Sequence, residues 1–148
     1  MSGYALDTNI ISFLLRKDQR LQTRVYNEAN GGAGVSIPAI AYYETKRGLI
    51  DHHATEKLVA FERLCGLLGV DTLDMAILDK AAGIYAILKK SGRIIDDADI
   101  LIAASCLANG HTLVTNNKKH FERVEGLQFV DWTEQTNTES AEAWNIGK

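Results

Sequence analysis

The sequence predicts an α/β fold in which a mainly parallel sheet is covered by helices on both faces. Two observations support this. Short apolar segments of strand length alternate along the chain with longer segments that have helical periodicity. In addition, a chain of 148 residues that is 46% hydrophobic and 24% charged fits one domain with a sizeable core. No internal repeat or low-complexity tract interrupts this pattern, so we expect a single folded unit.

The first part of the chain contains two strand candidates, each followed by helical pattern. Asp7 and its neighbours offer capping side chains after the first strand. The glycine-rich segment 31–34 ends a second helix, and Pro38, the only proline, suits the first turn of a third. The predicted elements are a strand at 3–6, helices at 10–15 and 21–29, a strand at 35–37 and a helix from about 38 to 48.

The remainder of the chain repeats this alternation. Apolar residues spaced three and four apart predict a long helix from Thr55 to Leu68. Asp74 can cap the next helix, which Ser91 and Gly92 end. The other predicted elements are strands at 69–73, 111–115 and 127–132, a helix to about residue 90, and a helix from the acidic triplet Asp96, Asp97 and Asp99 to about residue 109.

Composition excludes several classes of protein. No apolar run approaches the ~20 residues of a membrane span, and the N-terminus lacks the pattern of a signal peptide, so we expect a cytoplasmic protein. Cys65 and Cys106 lie in apolar helical patterns without metal-site spacing, and we expect buried, reduced thiols. The formal charge of −3 argues against a generally basic nucleic-acid binder. Any contact with nucleic acid must therefore come from local clusters of positive charge.

Three carboxylates occupy positions that a parallel sheet would bring together. Asp7 follows the first strand, Glu44 lies on the apolar side of the helix after the second strand, and Asp99 precedes a run that is apolar all round. Ligands gather beyond the carboxyl ends of parallel strands. At about 5 Å and an effective dielectric of about 20, each pair of carboxylates would repel by roughly 3 kcal/mol. Such a cluster needs protons or a hard cation, and Mg²⁺ or Mn²⁺ would suit phosphodiester hydrolysis.

Each acidic residue also has an ordinary structural interpretation. Asp96 fits the N-cap of the helix that follows, and for Asp97 a helix-start role and a functional role are equally open. Asp7 could be a capping residue, and Glu44 could pair with a basic residue on its own helix. For Asp99 a functional role is favoured, because the helix that follows is apolar all round and has little surface left to face solvent.

These segments, in this order, resemble the PIN-domain ribonucleases and, within them, the VapC toxins of bacterial toxin–antitoxin pairs. The matching pieces are Leu6–Asn9, Glu44, Asp99–Ala104, and Leu113–Asn117 with the following His120-Phe121. The resemblance implies a PIN-like nuclease domain over residues 1–133. It also implies a metal-dependent endoribonuclease. The polar composition of residues 134–148 predicts a flexible tail.

By this resemblance, Asp7, Glu44 and Asp99 would ligate Mg²⁺ or Mn²⁺, directly or through water. The fourth acidic position of many PIN domains falls where this chain has Asn116 and Asn117. We expect Asn117 to orient a water molecule and either Asp97 or Asp96 to compensate for the missing charge. For His120 we favour a structural role in its loop over proton transfer.

The resemblance also implies partners. RNA phosphates would contact basic residues beside the acidic segments, and a VapB-type antitoxin would reach the acidic pocket with a basic side chain. A homodimer is expected, and the residues near Leu14, Leu15, Leu21 and Phe61 are either its contact faces or part of the core of a monomer. The expected RNA contacts are Lys46, Arg47, Arg93, Lys118 and Lys119.

Two other functions remain open at this point. The missing fourth carboxylate is compatible with a catalytically silent PIN-like module that binds RNA or protein. A Mg²⁺-dependent phosphatase or phospho-receiver is less well supported, because the chain has neither a DxDxT motif nor a GxxxxGK loop.

Overall fold

The computed structural model describes residues 3–134, and within them the strands form one parallel sheet. The strand order is β3-β2-β1-β4-β5, and every neighbouring pair is parallel. The predicted parallel α/β architecture is therefore confirmed. The strands are β1 (Tyr4–Leu6), β2 (Val35–Pro38), β3 (Val70–Asp71), β4 (Thr112–Val114) and β5 (Phe129–Val130).

Helices cover the sheet on both faces. Successive side chains of a strand point to opposite faces, and the consecutive residues Ala5 and Leu6 are both buried, as are Leu113 and Val114. The core is therefore continuous through the central strands. The helices are α1 (Thr8–Leu15), α2 (Gln19–Asn30), α3 (Ala39–Asp51), α4 (Thr55–Leu68), α5 (Met75–Lys90), α6 (Asp97–Asn109) and α7 (Lys118–Phe121).

The helix predictions agree with the structure where periodicity and caps reinforce each other. The predicted bounds of α4 are those observed, and the carboxylate of Asp74 caps α5 by accepting a bond of 2.9 Å from the amide of Ile77. Two expectations were wrong in detail. Pro38 ends β2 and occupies the N-cap of α3, so it lies before the first turn of the helix. The segments 69–73 and 127–132 contain strands of only two residues each.

The topology brings several polar chain ends to one edge of the sheet. Leu6 is paired with Val114, so β1 and β4 end side by side, and the amide of Asp7 donates to the carbonyl of Val114 over 2.9 Å. α1 and α3 begin where their strands end. Because α6 leads into the parallel strand β4, it runs back across the sheet and its first turn lies at this same edge.

Other expectations have mixed outcomes. Both cysteines are free thiols, but only Cys106 is buried, whereas Cys65 is half-buried. Leu14, Leu21 and Phe61, predicted as contact faces, belong to the core of the single chain. None of the described helices is both long and apolar enough to cross a bilayer. Most of the predicted tail, residues 135–148, lies outside the described residues.

Candidate active site

Asp7 is the most deeply buried carboxylate at the carboxyl edge of the sheet. Only 4% of the residue is exposed, and it occupies the N-cap of α1. One carboxylate oxygen accepts a bond of 2.8 Å from the amide of Thr8, and the other accepts a bond of 2.7 Å from the hydroxyl of Thr115. Asp7 therefore caps α1 as expected, but capping does not explain its second hydrogen bond, from Thr115.

The environment of Asp7 disfavours its ionised form. Burial raises the pKa of Asp7 from 3.8 to about 6, and the nearby charges of Asp99 and Glu44 also raise it. The bonds from Thr115 and Thr8 act in the opposite direction but do not cancel the effect of burial. Glu44 and Asp99 are therefore close enough to Asp7 to act on its charge.

Glu44 is held at the site by α1. Its Oε1 accepts a bond of 2.7 Å from the hydroxyl of Thr8, the residue next to Asp7. The guanidinium of Arg47 lies 3.9 Å from Oε2, so the predicted pairing within the helix also forms, at the outer limit of an ion pair. The Glu44 side chain is 23% exposed and the Arg47 side chain is 59% exposed. Glu44 thus faces the edge of the site with one oxygen fixed and the other partly screened.

Asp99 lies in the first turn of α6, and its side chain is 17% exposed. Its Oδ2 is 2.9 Å from Nδ1 of His120 in α7. The same ring nitrogen is 2.8 Å from the side-chain amide of Asn117. The structure therefore brings together Asp99, Asn117 and His120, of which the first two were predicted as site residues.

The loop between β4 and α7 connects the two aspartates. The Thr115 hydroxyl, which bonds to Asp7, also accepts a bond of 2.9 Å from the backbone amide of Asn117. The Asn117 side chain in turn contacts His120, which contacts Asp99. A continuous set of polar contacts thus runs from Asp7 to Asp99 along this loop.

Asp96 and Asp97, the other two members of the acidic triplet, do not share the surroundings of Asp99. Asp96 occupies the N-cap of α6 as predicted, although its side chain forms no capping hydrogen bond. Asp97 is the first residue of the helix and is exposed. Its charge is not among those that raise the pKa of Asp7. The structure thus separates Asp99 from its two neighbours, and a catalytic part for Asp97 stays a prediction.

The predicted RNA contacts differ in whether their side chains already contact other residues. Lys46 bonds to the hydroxyl of Tyr42 over 3.0 Å and lies 3.7 Å from Glu62 of α4, and Lys118 pairs with Glu134. Arg47 lies beside Glu44. Arg93 and Lys119 are exposed.

The donor set suits a hard cation, although it is not a preformed cage. Carboxylate oxygens are the ligands that Mg²⁺ and Mn²⁺ prefer, and Asp7 carries a charge that its surroundings disfavour. The buried Oδ1 of Asn9, in the first turn of α1, has no hydrogen-bond partner among the described residues. Within residues 3–134, no three His, Cys, Asp or Glu side chains are grouped tightly enough to enclose a metal. The arrangement fits an ion that keeps part of its water shell.

Sequence reasoning missed the roles of three residues at this site. Thr8 and Thr115 hold Glu44 and Asp7, and His120 contacts Asp99. Thr8 stands between Asp7 and Asn9, and Thr115 and His120 belong to the matched segments, but they are not carboxylates. All three can form hydrogen bonds and lie within a few residues of a predicted site residue, but the sequence does not show which carboxylate each one contacts.

Comparison with known proteins identifies the family. The family model described as PIN domain matches residues 4–127. Ribonuclease VapC1 of Methanocaldococcus jannaschii is 38% identical over 132 residues, which cover 88% of each chain. The tRNA(fMet)-specific endonuclease VapC of Shigella flexneri is 31% identical over 90% of this chain and 100% of its own.

A solved structure gives the same answer for the fold. The crystal structure of DNA-bound VapBC from Salmonella typhimurium contains a chain that superimposes with a TM-score of 0.82. The two chains are 27% identical, and the match covers 89% of this chain and 99% of that one. Sequence and fold therefore agree that the chain belongs to the PIN domain family and, within it, to the VapC ribonucleases.

Proposed function

We propose that this protein hydrolyses phosphodiester bonds of RNA, as an endonuclease, with Mg²⁺ or Mn²⁺ held by Asp7, Glu44 and Asp99. We call these three residues the acidic site. One observation carries the proposal: Asp7 is buried, its pKa is raised to about 6, and the charges of Asp99 and Glu44 contribute to that rise. A divalent cation would offset the cost of an ionised Asp7 in this buried position beside the charges of Glu44 and Asp99.

The protein groups have separate tasks in this proposal. When bound, the cation would orient a water molecule and offset negative charge on the attacked phosphate. Thr8 holds both Asp7 and Glu44 through two short hydrogen bonds, so these carboxylates keep a fixed separation. Thr115 fixes the second oxygen of Asp7. Asn117, which stands in place of a carboxylate, brings amide groups that can orient water without adding charge.

Arg47 is the basic residue best placed to bind an RNA phosphate at the acidic site. Its guanidinium is 3.9 Å from Glu44, and more than half of its side chain is exposed. Lys46 and Lys118 are engaged with Glu62 and Glu134, so we assign them a smaller part. Arg93 and Lys119 are exposed and are proposed to contact more distant phosphates. The proposal includes a cytoplasmic location, where cellular RNA is found.

We assign a second surface to a VapB-type antitoxin. A groove of about 880 Å³ lies between α1, α2 and α4, with leucine side chains along its floor. Four cations and one carboxylate also line it: Arg16, Lys17, Lys57, Arg63 and Glu56. This charge suits an apolar antitoxin segment with acidic flanking residues. The Salmonella relative was crystallised as VapBC, which supports a partner of this kind.

The groove and the acidic site lie at opposite ends of α1. Asp7 caps the start of the helix, and Leu14 and Leu15 at its end line the groove. Eight residues of helix span about 12 Å. A partner segment of a few residues could therefore fill the groove and also place a basic side chain at the acidic site.

We assign the interface of the expected homodimer to α5, because most of the contact faces first predicted for it are buried in the core of the single chain. Met75, Leu78 and Tyr85 lie along one side of α5 and are 70%, 42% and 40% exposed. Sedimentation of Leu78→Glu against the unchanged protein tests this, and equal masses would contradict it.

The proposed function is tested with the purified chain and total cellular RNA. We expect cleavage with Mn²⁺ or Mg²⁺, none with EDTA, and none in Asp99→Asn when that variant keeps its fold by circular dichroism. The alternative, a catalytically silent module, rests on the amide at Asn117. It predicts no cleavage under any of these conditions and no binding of millimolar Mn²⁺. Mapping the cut ends would identify the RNA and the sequence that is cut.

A further inference from the structure

His120 lies between two residues of the candidate site. Its Nδ1 is 2.9 Å from Oδ2 of Asp99 and 2.8 Å from the side-chain amide of Asn117. The next residue, Phe121, is fully buried, so the backbone here is anchored in the core. The packing of Phe121 therefore fixes the backbone that carries His120.

One ring nitrogen cannot accept a hydrogen bond from an amide and donate one to a carboxylate at the same time. An ionised carboxylate can only accept, so Nδ1 of His120 must carry a proton if its contact with Asp99 is a hydrogen bond. The Asn117 amide then turns its oxygen toward the ring, because rotation about its last bond exchanges oxygen and nitrogen. With this assignment, each of the three groups has a compatible partner.

The two carboxylate oxygens of Asp99 differ in their contacts. Oδ2 is taken by His120, whereas Oδ1 accepts no hydrogen bond from any residue between 3 and 134. Asp7, by contrast, has both oxygens bonded. An N–H bond to one oxygen of a ligating carboxylate fixes its orientation and leaves the other oxygen for the cation.

We propose that His120 is a positioning residue, which holds Asp99 through its Nδ1–H so that Oδ1 points to the bound cation. This inference rests on the proposed function, since it gives His120 a part in the same site. The residues 115–120 contain no carboxylate. The loop thus supports the acidic site through Thr115, which bonds to Asp7, and His120, which contacts Asp99.

The first test measures the proton on the ring directly in the unchanged protein. Long-range ¹H–¹⁵N correlation spectra distinguish a protonated Nδ1 from a bare one, and the signals that disappear in His120→Asn identify this histidine among the four in the chain. We expect a protonated Nδ1 at the pH of the cleavage assay. A bare Nδ1 would overturn the proposal.

The second test uses two amides that imitate different ring nitrogens. The Asn amide nitrogen occupies the place of Nδ1, and the Gln amide nitrogen that of Nε2. We expect His120→Asn to keep its affinity for Mn²⁺, measured by electron paramagnetic resonance, and His120→Gln to lose about tenfold. The control His52→Gln, in the exposed turn after α3, should change nothing. Equal affinities in the two His120 variants would contradict a role for Nδ1.

Failure of the proposed function can be told apart from failure of this inference. If the unchanged protein binds Mn²⁺ but cleaves no RNA, the Asn and Gln variants still decide the role of His120. If it binds no Mn²⁺, the metal site itself is wrong and the inference fails with it. A His120→Gln variant that does not fold is detected by circular dichroism, and His120→Asn and the ring spectra then carry the test.

Discussion

Thr115 donates a hydrogen bond of 2.7 Å to Asp7 across 108 positions of sequence. The bond joins the ends of β4 and β1, and it lies where Thr115 is fully buried. The same hydroxyl accepts from the amide of Asn117. One small side chain therefore holds a candidate metal ligand and the start of the loop that carries a second site residue.

Removing this hydroxyl should weaken both the fold and the site. Thr115→Val keeps the shape but leaves an oxygen of Asp7 and the amide of Asn117 without their partner. We expect the free energy of unfolding to fall by about 2 kcal/mol. The bond also lowers the pKa of Asp7, so its loss should raise that pKa further. Urea denaturation checks the first effect, and Thr115→Ser, which keeps the hydroxyl, should retain most of the stability.

The raised pKa of Asp7 predicts how the metal-free protein responds to pH. The folded protein binds this proton more tightly than the unfolded chain, with a pKa of about 6 against 3.8. The proton therefore stabilises the fold at low pH, and its release lowers the free energy of unfolding as pH rises from about 4 to 6. Above that range the raised pKa of Asp7 lowers the free energy of unfolding by its full amount, about 3 kcal/mol.

Asp7→Asn should remove this pH dependence. The oxygen of the new side-chain amide can still accept a hydrogen bond from the backbone amide of Thr8. Its nitrogen can donate one to the hydroxyl of Thr115, because that hydroxyl can rotate and accept. We expect the metal-free variant to be more stable than the unchanged protein at pH 8 and similar to it at pH 4, although it should cleave no RNA. Urea denaturation in EDTA at the two pH values measures this, and the same difference at both would argue against Asp7 as the cause.

The sequence predicted the position of the carboxylates better than it predicted how they are held. Asp7 was placed correctly because a short apolar strand, a capping residue and a helical pattern follow one another within a few residues. Glu44 and Asp99 were placed by the rule that parallel strands end at one edge. These are local patterns combined with a general property of the fold class.

The contacts that fix the site depend on long-range geometry. Thr115 is predicted as the end of a strand within a segment that resembles the family, but nothing near it in sequence indicates that it bonds to Asp7. α7 was not predicted, because four residues of mostly polar sequence have no helical periodicity to detect. His120 could therefore not be placed against Asp99 before the packing of α6 and α7 was known.

The acidic triplet should show unequal effects on cleavage. Asp99→Asn removes a carboxylate that faces Asp7, and we expect kcat to fall at least about 100-fold. Asp96→Asn, at an exposed N-cap without a side-chain bond, is the matched control and should stay within about twofold. Asp97→Asn should fall between them if its charge supplements the site. Mn²⁺ should raise the melting temperature of the Asp96 variant but not of Asp99→Asn.

Arg47 and Lys46 are adjacent in sequence but should differ in their effect on RNA binding. Arg47→Ala removes a mostly exposed cation beside Glu44, so we expect KM to rise about 3- to 10-fold with a smaller change in kcat. Lys46→Ala removes a cation that already contacts Tyr42 and Glu62, and its KM should stay near that of the unchanged protein. Steady-state cleavage of one oligoribonucleotide gives both constants. Equal KM values for the two variants at low salt would show that Arg47 has no special part.

The groove between α1, α2 and α4 predicts which surface change releases an antitoxin. Leu67 lines the groove and is 59% exposed, so Leu67→Glu should leave the fold intact while it places a charge against an apolar segment with acidic flanks. A hot-spot loss of 2 kcal/mol corresponds to about 30-fold in Kd. Val59→Glu is the matched control, because Val59 lies on the same helix, is 46% exposed and does not line the groove. Both variants would be co-expressed with the VapB-type antitoxin proposed as the partner and purified through a tag on that antitoxin. Recovery of the Val59 variant but not the Leu67 variant is expected, and equal recovery would place the antitoxin elsewhere on the surface.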